Sequence, residues 1–237
     1  DNQKEIEFES EELKQYLLNN YDVDADGKIT EYDMIQIETL YIGNIQIHNA
    51  QGLEYAKNLK TLELNVEYEN DSNKLDYDFS SLTKLESLKD LYIYGDVSNF
   101  NVLSELKNLE TLHMTSAYRD ILEDISNLTN LKDLTIYNID YEVDNINFLS
   151  NLHKLESLEI NGTFAKIKDF SALKNLTNLK RLIVEKYENY EEPSYWADNL
   201  ESLREVVGEE NYEELITMPK SAVVYYDENG NADPYTI

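Results

Sequence analysis

Leucine recurs along this chain in a fixed frame, and the frame limits what the chain can fold into. The unit reads L-x-x-L-x-L: Leu59, Leu62, Leu64; Leu88, Leu91, Ile93; Leu109, Leu112, Met114; Leu131, Leu134, Ile136; Leu155, Leu158, Ile160; Leu179, Leu182, Val184. A looser copy stands at Ile37, Leu40, Ile42, and a degenerate one at Leu203, Val206. The first positions lie 22, 29, 21, 22, 24, 24 and 24 residues apart. Alternating apolar residues within each unit belong to a strand with one buried face. A single unit cannot cover that face, so successive units must stack.

These steps match the period of leucine-rich repeats. The expected fold is an α/β right-handed solenoid with a parallel sheet on its concave side. Short helices or turns should precede the strands, at 55–58, 126–130 and 174–178. The long step between Leu59 and Leu88 reads as a surface insertion around Asn70 to Lys74. Residues 1–36 fall outside the repeat and form a helical N-terminal cap, 37–190 carry the repeats, and 191–237 form a C-terminal cap or the start of a following region. Within the first cap, Ser10 is an N-cap candidate, and Leu13, Tyr16 and Leu17 share a helical face.

The 237 residues hold 20 Lys and Arg against 48 Asp and Glu, a net charge of −28. Such a charge repels nucleic acid and anionic lipid and draws cations. No apolar run reaches the ~18 residues that span a bilayer, so no membrane insertion is expected. There is no cysteine, which excludes disulfides, thiolate metal sites and a cysteine nucleophile.

One local motif carries metal chemistry. It runs Asp22-Val23-Asp24-Ala25-Asp26-Gly27-Lys28-Ile29-Thr30-Glu31-Tyr32-Asp33. Carboxylates fill loop positions one, three and five, and Gly27 supplies the sharp turn at six. Ile29 should anchor the loop in the core. Calcium takes six to eight oxygen ligands. Asp22, Asp24, Asp26 and Asp33 would give side-chain oxygens, the Lys28 carbonyl another, and Thr30 a contact through water. The EF-hand loop ends in Glu, whereas this one ends in the shorter Asp33. In that respect it resembles the calcium loops of dockerin modules.

The cap helix Leu13 to Leu17, this loop, and the run Gly52 to Leu62 together resemble surface leucine-rich-repeat proteins of clostridia and related Gram-positive bacteria. Repeats such as Leu128-Thr129-Asn130-Leu131-Lys132-Asp133-Leu134 look like those of the internalins. The resemblance implies export to the cell surface or wall and adhesion to a protein or glycan of a host or neighbouring cell. One element of the internalin pattern is missing. The asparagine expected at the ninth position is replaced by Ile45, Glu67, Asp96, Ala117, Ile139, Thr163 and Tyr187. The turns must therefore satisfy their backbone groups in another way.

Outward positions of the strands bring Tyr41, Tyr92, Tyr94, His113 and Tyr137 to one face, the candidate ligand-binding residues. Tyrosine is enriched at interfaces, although it also simply suits strands. Glu63 and Glu159 in the same rows would favour a cationic or hydroxyl-rich partner. Nothing in the sequence specifies an enzyme. The three His are isolated, no Gly-rich phosphate loop exists, and 48 acidic residues make any carboxylate pair uninformative. The expected function is non-catalytic recognition, with the chain acting as a monomer. The rival readings are an accessory region of a larger secreted enzyme and a passive spacer or stalk.

Overall fold

The computed structural model describes residues 4–67, 77–95, 97–98, 100–115, 117, 119–137, 145–160, 171–179 and 181–184. The expected insertion at Asn70 to Lys74 and the C-terminal region 191–237 lie outside the described residues. The chain forms two compact units, Asp1–Thr115 and Ser116–Ile237.

In the first unit, helix α1 (Glu11–Tyr21) and the short helix α2 (Glu31–Met34) precede four strands. These are β1 (Thr39–Ile47), β2 (Thr61–Val66), β3 (Asp90–Gly95) and β4 (Thr111–Met114). They pair in parallel in sequence order, with Leu40, Leu62, Leu91 and Leu112 in register. The second unit contains helix α3 (Arg119–Ile125) and strands β5 (Asp133–Ile136), β6 (Ser157–Ile160) and β7 (Arg181–Val184), again parallel with β6 in the middle. Parallel strands joined by helical crossovers, one per leucine unit, make this an α/β leucine-rich-repeat solenoid.

The leucine frame is the core. Leu59, Leu62, Leu64, Leu91, Ile93, Leu109 and Leu112 are fully buried, as are Leu131, Leu134, Leu155 and Leu158 in the second unit. On the return side of the first unit, Phe79 and Phe100 occupy equivalent places in successive repeats and are also fully buried. Their ring centroids lie 4.9 Å apart at 45°. The crossovers are mostly single 3-10 turns, at Leu53–Tyr55, Ser80–Lys84 and Leu103–Glu105. The segments expected at 55–58, 126–130 and 174–178 begin a few residues earlier, as Leu53–Tyr55, helix Arg119–Ile125 and Ser171–Asn175. Residues 56–58 are the turn that leads from the 3-10 segment into the next leucine.

Two devices replace the missing asparagine ladder. The first caps the 3-10 turns. The side-chain oxygens of Asn49 and Asp78 accept from the backbone N–H two residues on, each at 2.8 Å, and Asn145 does so at 3.0 Å. Asn49 and Asp78 also form a parallel bridge between repeats. The second device ties each repeat to the one before. Asn58 and Asn108, each just ahead of a frame leucine, donate to the carbonyls of Ile35 (2.8 Å) and Glu86 (3.0 Å). In the second unit Asn178 donates to the His153 carbonyl at 2.7 Å. Most of these bonds lie at exposed sites, where water competes for the same backbone groups, so each contributes at the modest end of the usual range, about 0.5–1.5 kcal/mol.

The cap closes the open side of β1. Ser10 caps α1 by accepting from the Leu13 N–H at 3.2 Å, and Leu13 and Leu17 bury against the sheet end. The hydroxyls of Tyr16 and Tyr21 donate to the carbonyls of Tyr41 (2.6 Å) and Thr39 (3.4 Å). An edge strand exposes such carbonyls, and here helix side chains occupy two of them.

Candidate functional site

Two groups of residues stand out, the carboxylate loop in the cap and the aromatic row on the sheet. The loop joins α1 to α2. Gly27 has φ +81° and Ala25 φ +57°, both left-handed. Position six can take this backbone freely because it is glycine, whereas Ala25 is held in it. Hydrogen bonds wrap the loop inward. The Asp22 carboxylate accepts from the N–H of Asp26 (3.2 Å) and of Gly27 (2.9 Å). Ile29 is fully buried, as its place in the motif requires, and its carbonyl accepts from Ile6 N–H at 2.8 Å. The segment before α1 thus pairs with the loop, and Lys14 holds it through an ion pair with Glu5 at 2.9 Å.

Ligand-type oxygens of Asp22, Asp24 and Asp33 lie within 4.8 Å of one another, so these three could hold a metal ion. Asp26 is not part of that group; its Oδ1 accepts the Lys28 N–H at 2.9 Å. Asp24 shows the electrostatic cost of the cluster. Loss of hydration, and then the charge of Asp26, raise its carboxyl above the ordinary range.

Asp33 has a second role that the motif did not reveal. It is 1 % exposed, and its Oδ2 accepts from both the N–H (2.8 Å) and the hydroxyl (2.7 Å) of Thr30. Its Oδ1 accepts from Val23 N–H at 3.0 Å. It therefore caps α2 and ties the entry of the loop to its exit. The signal was present as Thr30-x-x-Asp33, a capping spacing with Asp where Glu or Gln is usual.

On the sheet, register places Tyr41 beside Glu63, Glu63 beside Tyr92, and Tyr92 beside His113. This is one continuous row across β1 to β4. Tyr41 is 55 % exposed, and the other three are half-buried. The Tyr92 and His113 rings meet edge to face, with centroids 4.8 Å apart at 73°. Tyr94 stands one pleat further on, in register with Asn65, and burial and then the charge of Glu63 raise its hydroxyl pKa. Tyr137 lies just after β5 in the second unit and is 43 % exposed.

The outward row does not continue as expected in the second unit. Thr135 and Glu159, in register on β5 and β6, are both buried, and Glu159 is only 9 % exposed. Glu159 is therefore not a surface carboxylate of that face. A further cluster escaped the sequence reading. His48 Nδ1 lies 3.1 Å from Glu67 Oε2, and the Tyr77 hydroxyl donates to the Glu67 carbonyl at 2.7 Å. These residues close the ends of β1 and β2 on either side of the long second step. Only the repeat register brings His48 and Glu67 together, as they are 19 residues apart.

No protein-family model and no curated protein matches this chain. Solved structures do resemble it. An internalin of Listeria monocytogenes is 23 % identical over 73 % of this chain, with a TM-score of 0.50, and the chain spans 54 % of that structure. That likeness shows the leucine-rich-repeat fold. Internalin C2 of the same organism is 28 % identical over 71 % of this chain and 82 % of its own length, at a TM-score of 0.46. A leucine-rich-repeat protein of Leptospira interrogans is 14 % identical over 65 % of this chain and 52 % of its own, at 0.34. Among the described residues, no helix is long and apolar enough to cross a membrane.

Proposed function

We propose that this chain is a non-catalytic recognition module of a Gram-positive bacterial surface. Its sheet face takes a host or neighbouring-cell protein, and calcium holds its N-terminal cap. The row Tyr41–Glu63–Tyr92–His113 carries the reading. Three of four adjacent strands present aromatic side chains in register, with Tyr41 exposed by more than half and Glu63 on the fourth strand between them. Aromatic residues of this kind supply contact area at little entropic cost and dominate binding hot spots. The internalin-like fold and repeats favour a protein partner and surface placement.

The loop suits calcium by the chemistry of its donors. Carboxylate oxygens are the ligands of a hard cation. An oxygen has two lone pairs, and Asp33 Oδ2 already accepts two hydrogen bonds. Asp33 would therefore bind through Oδ1 alone, unlike the bidentate Glu that ends an EF-hand. Asp22 and Asp24 would add one oxygen or two each. The second oxygen of Asp26, the Lys28 carbonyl and water would fill the remaining places.

The test is binding of the labelled chain to candidate host cells in calcium, beside Tyr92→Ala/Tyr94→Ala. Binding that is lost in the folded double variant supports the module and its face. Binding that survives undiminished places the contact elsewhere. Absence of binding by either protein favours a spacer or accessory role.

A further inference from the structure

We propose that Glu63 is the anionic floor of a subsite for an alkylammonium or guanidinium group, namely a lysine or arginine side chain of a protein partner. The inference rests on the sheet-face reading above and adds the chemistry of its central contact. Glu63 sits mid-row, with Tyr41 on one neighbouring strand and Tyr92 on the other. Each is one strand spacing away, about 4.8 Å along the hydrogen-bonding direction. Tyr94 is near enough for the Glu63 charge to act on its hydroxyl. Two tyrosines thus flank Glu63 in its row, and a third lies within reach of its charge.

That carboxylate has no cation of its own. Among the described residues Glu63 forms no ion pair, while three lysines of the same unit pair with other carboxylates: Lys60 with Glu38, Lys89 with Glu110, Lys14 with Glu5. Nor does it accept a hydrogen bond there. Its position is set by a gap in the neighbouring strand. A Cβ on Gly43 would lie 2.2 Å from Glu63 Oε1, so the carboxylate rests in the space that a missing side chain leaves.

A half-buried anion flanked by tyrosines in its row is matched by a cation, which gains Coulomb attraction and can gain cation–π attraction as well. The net charge of −28 draws such a group in over long range. A neutral glycan could stack on the rings but would leave the charge uncompensated. An acidic partner would be repelled.

The experiment titrates the full chain with blocked trilysine and triarginine peptides at low ionic strength. Cellotetraose serves as the neutral comparison, and the ring protons of Tyr41 and Tyr92 are followed by NMR. Three variants accompany it, each checked for folding. Glu63→Gln removes the charge. Gly43→Ala displaces the carboxylate without changing charge, which costs the fold little because a flexible side-chain tip must move. Glu86→Gln, on an exposed turn, controls for diffuse electrostatics.

The expected result is that the cationic peptides shift both tyrosines. Glu63→Gln and Gly43→Ala should weaken binding about three- to tenfold, and Glu86→Gln less than about twofold. Equal weakening by Glu63→Gln and Glu86→Gln, no shift of the tyrosines, or Glu63-dependent binding of cellotetraose would each overturn the subsite. The broader reading fails separately. If Tyr92→Ala/Tyr94→Ala abolishes cell binding while Glu63→Gln preserves it, the face stands and the subsite falls. If cell binding survives both, the face itself is wrong.

Discussion

Asp33 holds Val23 across the whole length of the carboxylate loop. Its Oδ1 accepts the Val23 N–H at 3.0 Å, while its Oδ2 takes both donors of Thr30. One buried carboxylate therefore joins the end of α1 to the start of α2. Replacing Asp33 by Ala should leave these donors without their acceptor and remove a helix cap. The expected loss is about 1–3 kcal/mol. Asp33→Asn retains one acceptor oxygen and should lose less. Denaturant unfolding of the two variants in chelator checks the order; an equal loss would mean that the oxygen Asn retains does not replace either contact, and no loss in Asp33→Ala would mean that the cap contributes little.

Calcium should raise the melting temperature of the wild-type chain and protect the amides of residues 5–6 and 22–33 from exchange. A ligand that binds only the folded state stabilises it by mass action. The protection should reach Ile6 because its N–H is bonded to the Ile29 carbonyl in the loop. Asp24→Asn separates the two roles of the cluster. Removing one of three close carboxylates should raise the melting temperature in chelator and reduce the calcium response. A variant that melts lower in chelator and keeps the full response would refute the repulsion argument.

Two aspartates give opposite responses to acid. The Asp24 carboxyl is raised, by lost hydration and then by Asp26, so the folded state binds its proton more readily than the unfolded chain does. Its strain is therefore relieved as pH falls through the raised value, and stability increases until the ordinary value of 3.8 is passed. Asp78 is held low by hydrogen bonds from the Ser80 side chain and then its backbone. Its contribution is present above 3.8 and is lost as pH falls through the lowered value. In chelator, Asp24→Asn should remove the gain on acidification, while Asp78→Asn should remove part of the loss at lower pH. Melting curves against pH for each variant measure both effects.

The leucine frame made most of the fold legible, because burial of a fixed apolar pattern admits one register. Leu62, Leu91 and Leu112 fell into line as their spacing required. The loop and Ser10 were legible for a similar reason, since short polar motifs act on their own backbone. What the frame hid were contacts between repeats. Asn58 to Ile35 and His48 to Glu67 join residues about one repeat apart, and no local pattern announces them. Asn49, Asp78, Asn99, Asn145 and Asp169 recur ahead of a leucine four residues on, and the turn-capping role of three of them follows from side-chain chemistry. The burial of Thr135 and Glu159 had no such signal, because alternation alone labels both as outward.

The aromatic pair on the return side tests whether the stacked repeats share one core. Phe79 and Phe100 come from successive repeats, are fully buried, and pack with ring centroids 4.9 Å apart. Each ring fills space that its own repeat cannot close. Phe79→Ala should cost about 3–5 kcal/mol through lost burial and the cavity left behind. Phe100→Ala should cost a similar amount. Because the rings are in contact, the double variant should cost less than the two single losses added together, by roughly 0.5–1.5 kcal/mol. Equilibrium unfolding of the four proteins closes the cycle. Additive losses would mean that the two repeats bury their aromatics independently and that the register, not the ring contact, holds them together.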